Sequence, residues 1–128
     1  MLNRDGIRKT TYAATKQILA NVELQSSVGC IVPQAIGVEV DNRKIAKAGT
    51  PIKVDLMDRQ SVVTKATAEV AFNAVLLHDV DVTEGNANGT ALVFGFVNVN
   101  RVDADVAAAI TTALTAANHT QMVTFMKA

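Results

Sequence analysis

Residues 74–102, AVLLHDVDVTEGNANGTALVFGFVNVNRV, hold two apolar runs separated by a polar turn. The first, Ala74 to Val82, is rich in Val and Leu, and the second, Thr90 to Val102, in Val and Phe. Between them Glu84-Gly85-Asn86-Ala87-Asn88-Gly89 supplies glycines and asparagines, the residues that tolerate positive φ. Apolar runs around such a turn predict a central β-hairpin. In the second run Leu92, Phe94 and Phe96 are expected on one face and Val93, Val97 and Val99 on the other, because side chains alternate along a strand. Both faces are apolar, so this strand belongs inside a barrel, a sandwich or a sheet backed by a helix. Gly95 predicts a bulge or a close approach of another group. Leu76, Phe94 and Phe96 are accordingly expected to pack in the core or between subunits.

The segments on either side follow from this strand pair. Residues 1–25 scatter Arg4, Arg8, Lys9 and Lys16 among Thr, Ala and Asn without a long apolar period, which favours a flexible or extended basic arm. The alternative is an amphipathic helix from Ala13 to Val22 through Ile18, Leu19 and Val22. From Ser26 the texture changes. Val28 to Val32 predicts a strand, Pro33 ends it, and Ala35 to Val40 predicts the next. Asp41-Asn42-Arg43 reads as a turn, Lys44 to Ala48 as a strand stopped by Gly49-Thr50-Pro51, and Ile52 to Leu56 as its continuation in a β-meander. Residues 57–66 read as a polar loop with one short strand near Ser61 to Thr64. Asp103 is placed to cap a helix carrying Val106, Ile110, Ala113, Leu114 and Ala117 at helical spacing, with Ile110 and Leu114 as packing residues. The helix is expected to end at Asn118-His119, and Met122 to Met126 to form a last strand. The predicted fold is thus mainly β (α+β): a small β-barrel or β-sandwich-like single domain over residues 26–128, one helix near the C-terminus, and an extended arm over residues 1–25.

Composition narrows the function. Twelve basic and twelve acidic residues cancel, so no whole-chain field draws the protein to nucleic acid or an anionic membrane. The hydrophobic share of 49% contains no Trp and only 4% aromatics, leaving a core of small aliphatic residues. Cys30 is the single cysteine, and its strand-like setting reads as a buried hydrophobe, not a reactive thiol. No apolar run reaches the roughly 18 residues of a membrane span. The first residues lack the apolar region of a signal peptide, so folding in a reducing cytosol is expected.

Site chemistry is sparse. Asp79, Asp81, Glu84, Asn86 and Asn88 alternate as calcium ligands do, but a calcium loop of the helix–loop–helix kind needs Gly sixth and Glu twelfth. Counting from Asp79, those places hold Glu84 and Thr90, so a strand end running into an acidic turn is the better reading. His78 shares a strand side with Leu76 and Val80, and reads as a core or interface histidine with a satisfied ring. His119 reads as a cation at a helix C-terminus. No nucleophile elbow and no phosphate-binding glycine loop is present, and the pairs Asp79/Asp81 and Asp103/Asp105 are explained by turn and helix start. No enzyme, cofactor or metal site is expected. Lys44 with Lys47 reads as a solvated basic face.

Three pieces together are distinctive: Ala48-Gly49-Thr50-Pro51, then Ala74 to Val82, then Ala91-Leu92-Val93-Phe94-Gly95-Phe96-Val97. They resemble the "AGxP" turn, the "G-V-L-x-x-D-V-x-V" strand and the "A-x-V-x-x-x-G-x-V" strand of the head decoration and head fibre proteins of tailed bacteriophages. The resemblance spans roughly Lys44 to Met126, and its motifs are structural. It implies a small β-rich domain with one helix, trimeric, seated on the outer surface of the capsid in the virion and made in the bacterial host cytoplasm. The partner it implies is the major capsid protein, whose lattice such proteins decorate and stabilise. The arm residues Arg4, Arg8, Lys9 and Lys16 would contact that lattice, and Phe94, Phe96, Leu76, Ile110 and Leu114 would pack the core or the trimer. The chain ends soon after Phe125, so a compact decoration is expected in preference to a protruding fibre. The alternative expectation is a ligand-binding or adhesive module on the virion surface, the base of a head fibre. Neither reading involves nucleic acid or a membrane.

Overall fold

The computed structural model describes residues 17–115 and 122–127. Nine strands and one α-helix are found among them: β1 (Ser26–Val32), β2 (Val38–Val40), β3 (Arg43–Ala46), β4 (Pro51–Lys53), β5 (Thr64–Lys65), β6 (Ala74–Leu76), β7 (Val80–Asp81), β8 (Ala87–Asn98), α1 (Ala104–Ala113) and β9 (Val123–Met126). The fold is mainly β with its helix near the C-terminus, as the residue pattern predicts.

The 12-residue β8 is the centre of a six-stranded sheet. β1 runs antiparallel to it, with Val28 opposite Ala91 and Val32 opposite Ala87. β6 is antiparallel to it through Val75–Leu92 and Leu76–Ala91, and β9 is parallel to it from Gly95 to Asn98. β4 and β5 continue the sheet beyond β6. A single bridge between Ile31 and Val62 brings β1 back to the segment before β5, so the sheet curls towards itself but does not close into a barrel. β2, β3 and β7 form a second, three-stranded sheet. Its β2–β3 loop is Asp41-Asn42, with φ of 51° and 68°, the two-residue type I′ turn whose twist matches paired strands.

The expected strand pair of residues 74–102 is present, but it is not a simple hairpin. After Leu77 the chain leaves β8, contributes β7 to the small sheet and returns at Ala87. Residues 35–37, expected to begin a strand, complete a 3₁₀ turn over Gln34–Ile36. Gln34 donates from Nε2 to the Thr83 carbonyl at 2.9 Å, and its N–H bonds Asn86 Oδ1 at 3.0 Å. Those bonds tie the turn to the β7–β8 connection and delay β2 to Val38.

The face assignment along β8 also changes. Ser26 pairs with Phe94 and Ser27 with Leu92, so one step on β1 spans two on β8, a β-bulge. Gly95 follows the bulge at φ 155°, a dihedral that L side chains rarely adopt. The bulge shifts the alternation by one residue. Leu92 and Val97, expected on opposite faces, therefore lie in the same core cluster with Ile18, Leu19, Val75, Leu77 and Val123. Ala91, with Val93 packed at its edge, belongs to the cluster on the other face, among Val32, Ile52, Leu76 and Val82. A third cluster joins Ala66, Phe72 and Ala113, with Phe125 tilted at 59° against Phe72 at a centroid distance of 5.8 Å.

The boundary expected at residue 25 moves. Ile18 and Leu19 are 0% and 5% exposed. The Asn98 N–H donates to the Ile18 carbonyl at 2.8 Å and the Ala20 N–H to the Phe96 carbonyl at 2.9 Å. Residues 18–20 thus pair with the end of β8 and belong to the domain. Arg4, Arg8, Lys9, Lys16, Asn118 and His119 lie outside the described residues.

Candidate functional site

The small sheet and the start of α1 enclose a groove of about 520 Å³ lined by Val40, Ile45, Asp41, Arg43, Lys47, Asp79, Asp81 and Asp103. Each lining group is placed by a local feature. The type I′ turn holds Asp41 at one end. β3 and β7 pair Ile45 with Asp81, which brings Arg43 to the Asp81 carboxylate in an ion pair, with Nε at 2.6 Å from Oδ2. Asp79 lies where the chain crosses from β6 to β7, and its Oδ1 accepts the Ala48 N–H at 2.7 Å. Lys47 Nζ reaches Asp103 Oδ2 and Asp105 Oδ2, both at 3.2 Å.

That last contact revises two expectations. Asp103 does occupy the N-cap position of α1, but its side chain caps no backbone N–H and turns to Lys47. Lys47 is not part of a solvated basic face, since its side chain is only 20% exposed and is enclosed by carboxylates. Burial opposes its charge, but the hydrogen bonds it donates to Asp105 and Asp103 outweigh that cost and hold its pKa above the ordinary lysine value.

Asp81 is depressed to a pKa of about 2. The largest cause is the Thr83 hydroxyl, which donates to Oδ1 at 2.6 Å, followed by the Thr83 N–H at 2.9 Å and then the Arg43 guanidinium. Thr83 Oγ1 also accepts the Lys44 N–H at 2.9 Å, so this carboxylate is locked to β3 as well as to its own strand. The groove holds fixed negative charge on an apolar floor of Val40 and Ile45. Such a surface suits an extended cationic segment, whose aliphatic stems lie on the floor while the charged ends meet the rim.

The sequence-predicted residues fall in several places. Leu76 and Ile110 are buried at 0% and 2% exposure, as expected of core residues. Phe96 is half-buried. Phe94 and Leu114, at 38% and 42% exposed, are not core residues of the single chain. For Phe94 the cause is the bulge, which turns it out of the Leu92 face. Leu114 follows the last helical residue and leaves the stripe of Val106, Ile110 and Ala113. Cys30 is buried, and burial raises its thiol pKa, in keeping with an unreactive core position. His78 is half-buried and its Nδ1 is shut from solvent without a hydrogen-bond partner, so the expectation of a satisfied ring fails at that atom. Among the described residues no group of three His, Cys, Asp or Glu side chains is placed to hold a metal ion. No helix there is long and apolar enough to cross a membrane.

A second surface gathers around Gly95. Its N–H donates to the Met122 carbonyl at 3.2 Å, and a Cβ on it would lie 3.5 Å from the Leu24 carbonyl. Leu24, Met122 and the adjoining Phe94 are 55%, 53% and 38% exposed, and Met126, farther along β9, is 43% exposed. The groove and this strip were both missed in the sequence. The strip needs the bulge and the meeting of residues 24, 94 and 122, while the groove needs the β3–β7 register and the approach of α1. Comparison with protein-family models, with curated proteins and with solved structures finds no match for this chain.

Proposed function

We propose that the chain is a structural virion protein that binds the outer surface of a tailed-phage capsid as a trimer and stabilises the lattice of the major capsid protein. The identity of the assembly rests on the resemblance of residues 48–51, 74–82 and 91–97 to phage head decoration proteins. In the fold these pieces form one unit: the Gly49 N–H donates to the Leu76 carbonyl at 2.7 Å, and Leu76 pairs with Ala91. The observation that carries association is that Leu24, Phe94 and Met122, each with an exposed apolar side chain, come together along the backbone around Gly95, since exposed apolar surface marks protein contact sites. Three equivalent contacts around a symmetry axis give high effective concentration, so modest single affinities suffice to hold a shell. Of the groove carboxylates, Asp81 is engaged by Arg43 and Thr83, Asp103 by Lys47 and Asp79 by the Ala48 amide, an arrangement that fixes charge on a surface.

Light scattering across a dilution series tests the trimer, which has three times the 13.5 kDa chain mass. Phe94→Glu should lower that mass to a monomer while leaving the circular dichroism melt nearly unchanged, because Phe94 is outside the core. A wild-type protein that is monomeric at every concentration refutes the trimer. Mass spectrometry of purified particles of the phage encoding the chain tests attachment, and particles lacking the chain refute it.

A further inference from the structure

We propose that the groove between the β2–β3 hairpin and the start of α1 seats the chain's own basic N-terminal segment, residues 1–16. This holds whether or not the protein decorates a capsid. Residues 1–16 contain four cations, Arg4, Arg8, Lys9 and Lys16, against the single carboxylate of Asp5, while the rest of the chain has eight cations and eleven carboxylates. A chain neutral overall is thus divided into a segment of net +3 and a domain of net −3. The domain's negative charge gathers at this groove. Arg43 is matched to Asp81, and Lys47 is shared by Asp103 and Asp105. Asp41 and Asp79 at the rim form no ion pair with the described cations.

The point of attachment places the segment beside that charge. The Gln17 carbonyl accepts from Arg101 Nη1 at 3.4 Å, and Arg101 is two residues before Asp103. At about 3.3 Å per extended residue the segment reaches roughly 50 Å. A tether this short holds its cations at an effective concentration of the order of millimolar, so contacts too weak to join separate molecules are occupied within one. The contacts are partly solvated, so they weaken in 0.5 M salt, where screening acts within about 4 Å.

Zero-length carbodiimide coupling of the full chain, prepared as an equal mixture of normal and 15N-labelled protein, tests the assignment. The expected products join Lys9 or Lys16 to Asp41, Asp79 or Asp103 within one isotopic copy, and their yield falls at least fivefold in 0.5 M salt. Lys47, in contact with Asp103 and Asp105, is the internal control. If Lys47 couples while the N-terminal lysines do not, or if they couple to carboxylates away from the groove such as Asp55 and Asp58, the proposal is overturned. Products joining two isotopic copies overturn it too, and assign the groove to a second chain. Should Lys47 itself fail to couple, amide NMR spectra of the full chain decide. Charge reversal of Arg8 and Lys9 to Glu must then shift the amides of Asp41, Arg43 and Asp79, and unchanged signals there refute the proposal.

Discussion

Replacing Gly49 by Ala should destabilise the domain through two separable effects. Gly49 stands in the turn between β3 and β4 at φ 94°, and a left-handed backbone costs an L residue about 1–2 kcal/mol. A Cβ there would also meet Val102 Cγ1 at 2.6 Å and Val106 Cγ1 at 3.1 Å, well inside the roughly 3.5–4.0 Å of carbon contacts. Val106 is anchored in the core by α1, so the overlap is relieved only by lifting the helix start, an overpacking cost of about 1–3 kcal/mol. A stiffer unfolded chain returns about 0.4–1 kcal/mol. The sum is about 1–5 kcal/mol, a substantial part of the roughly 5–15 kcal/mol that holds a domain folded. With no Trp and one Tyr, far-UV circular dichroism during urea unfolding is the suitable assay, and the midpoint should fall with the slope preserved. Gly85→Ala is the control, because Gly85 also has positive φ, at 139°, but nothing lies within 4 Å of its Cβ position. Val102→Ala placed in the Gly49→Ala background should restore the steric part. If Gly49→Ala costs no more than Gly85→Ala, or if Val102→Ala restores nothing, α1 does not pack against this turn as described.

Other perturbations test the remaining features. Ile18→Ala should cost about 2–5 kcal/mol, because Ile18 is 0% exposed and its cavity opens among Leu92, Val97 and Val123. A stability loss below about 1 kcal/mol in urea unfolding would return residues 17–20 to the arm. The Asp81 pKa is lowered from 3.8 to about 2, so its contribution to stability is complete above pH 4 and is lost as pH falls towards 2. Thr83→Val should raise that pKa towards the ordinary carboxylate range in a 13C NMR titration, and a value still near 2 would make Arg43 the dominant cause. His78→Phe removes a buried nitrogen without a partner and should leave the urea midpoint unchanged or raise it by the equivalent of about 1 kcal/mol. A clear loss of stability would show that Nδ1 has a partner in solution.

The reach of sequence reading differs from element to element. The helix was legible because Asp103 precedes a single apolar stripe at helical spacing, and Pro33 and Asp41-Asn42 marked a strand end and a turn through dihedral preferences that act within a few residues. β8 was legible as a strand buried on two faces. The facing of its residues was not, since the bulge near Gly95 is decided by the strand alongside it, and a one-residue slip exchanges the faces. The core role of Ile18 and Leu19 was hidden for the same reason: with Val22 they suggest at most a diluted helix, and they become core because the end of β8 offers backbone partners.

The sequence by itself determined the composition of the core, the β-rich class, the position of the helix and the separation of a basic segment from an acidic domain, because each follows from local preference or from counting. Only the tertiary structure decided that β7 leaves β8 for a second sheet, that Lys47 is enclosed by Asp103 and Asp105, and that Leu24, Phe94 and Met122 meet around Gly95. Those outcomes depend on pairings between residues far apart in the chain, such as Leu76 with Ala91 and Ile45 with Asp81. Their energies come from burial and register, which no short stretch of sequence contains.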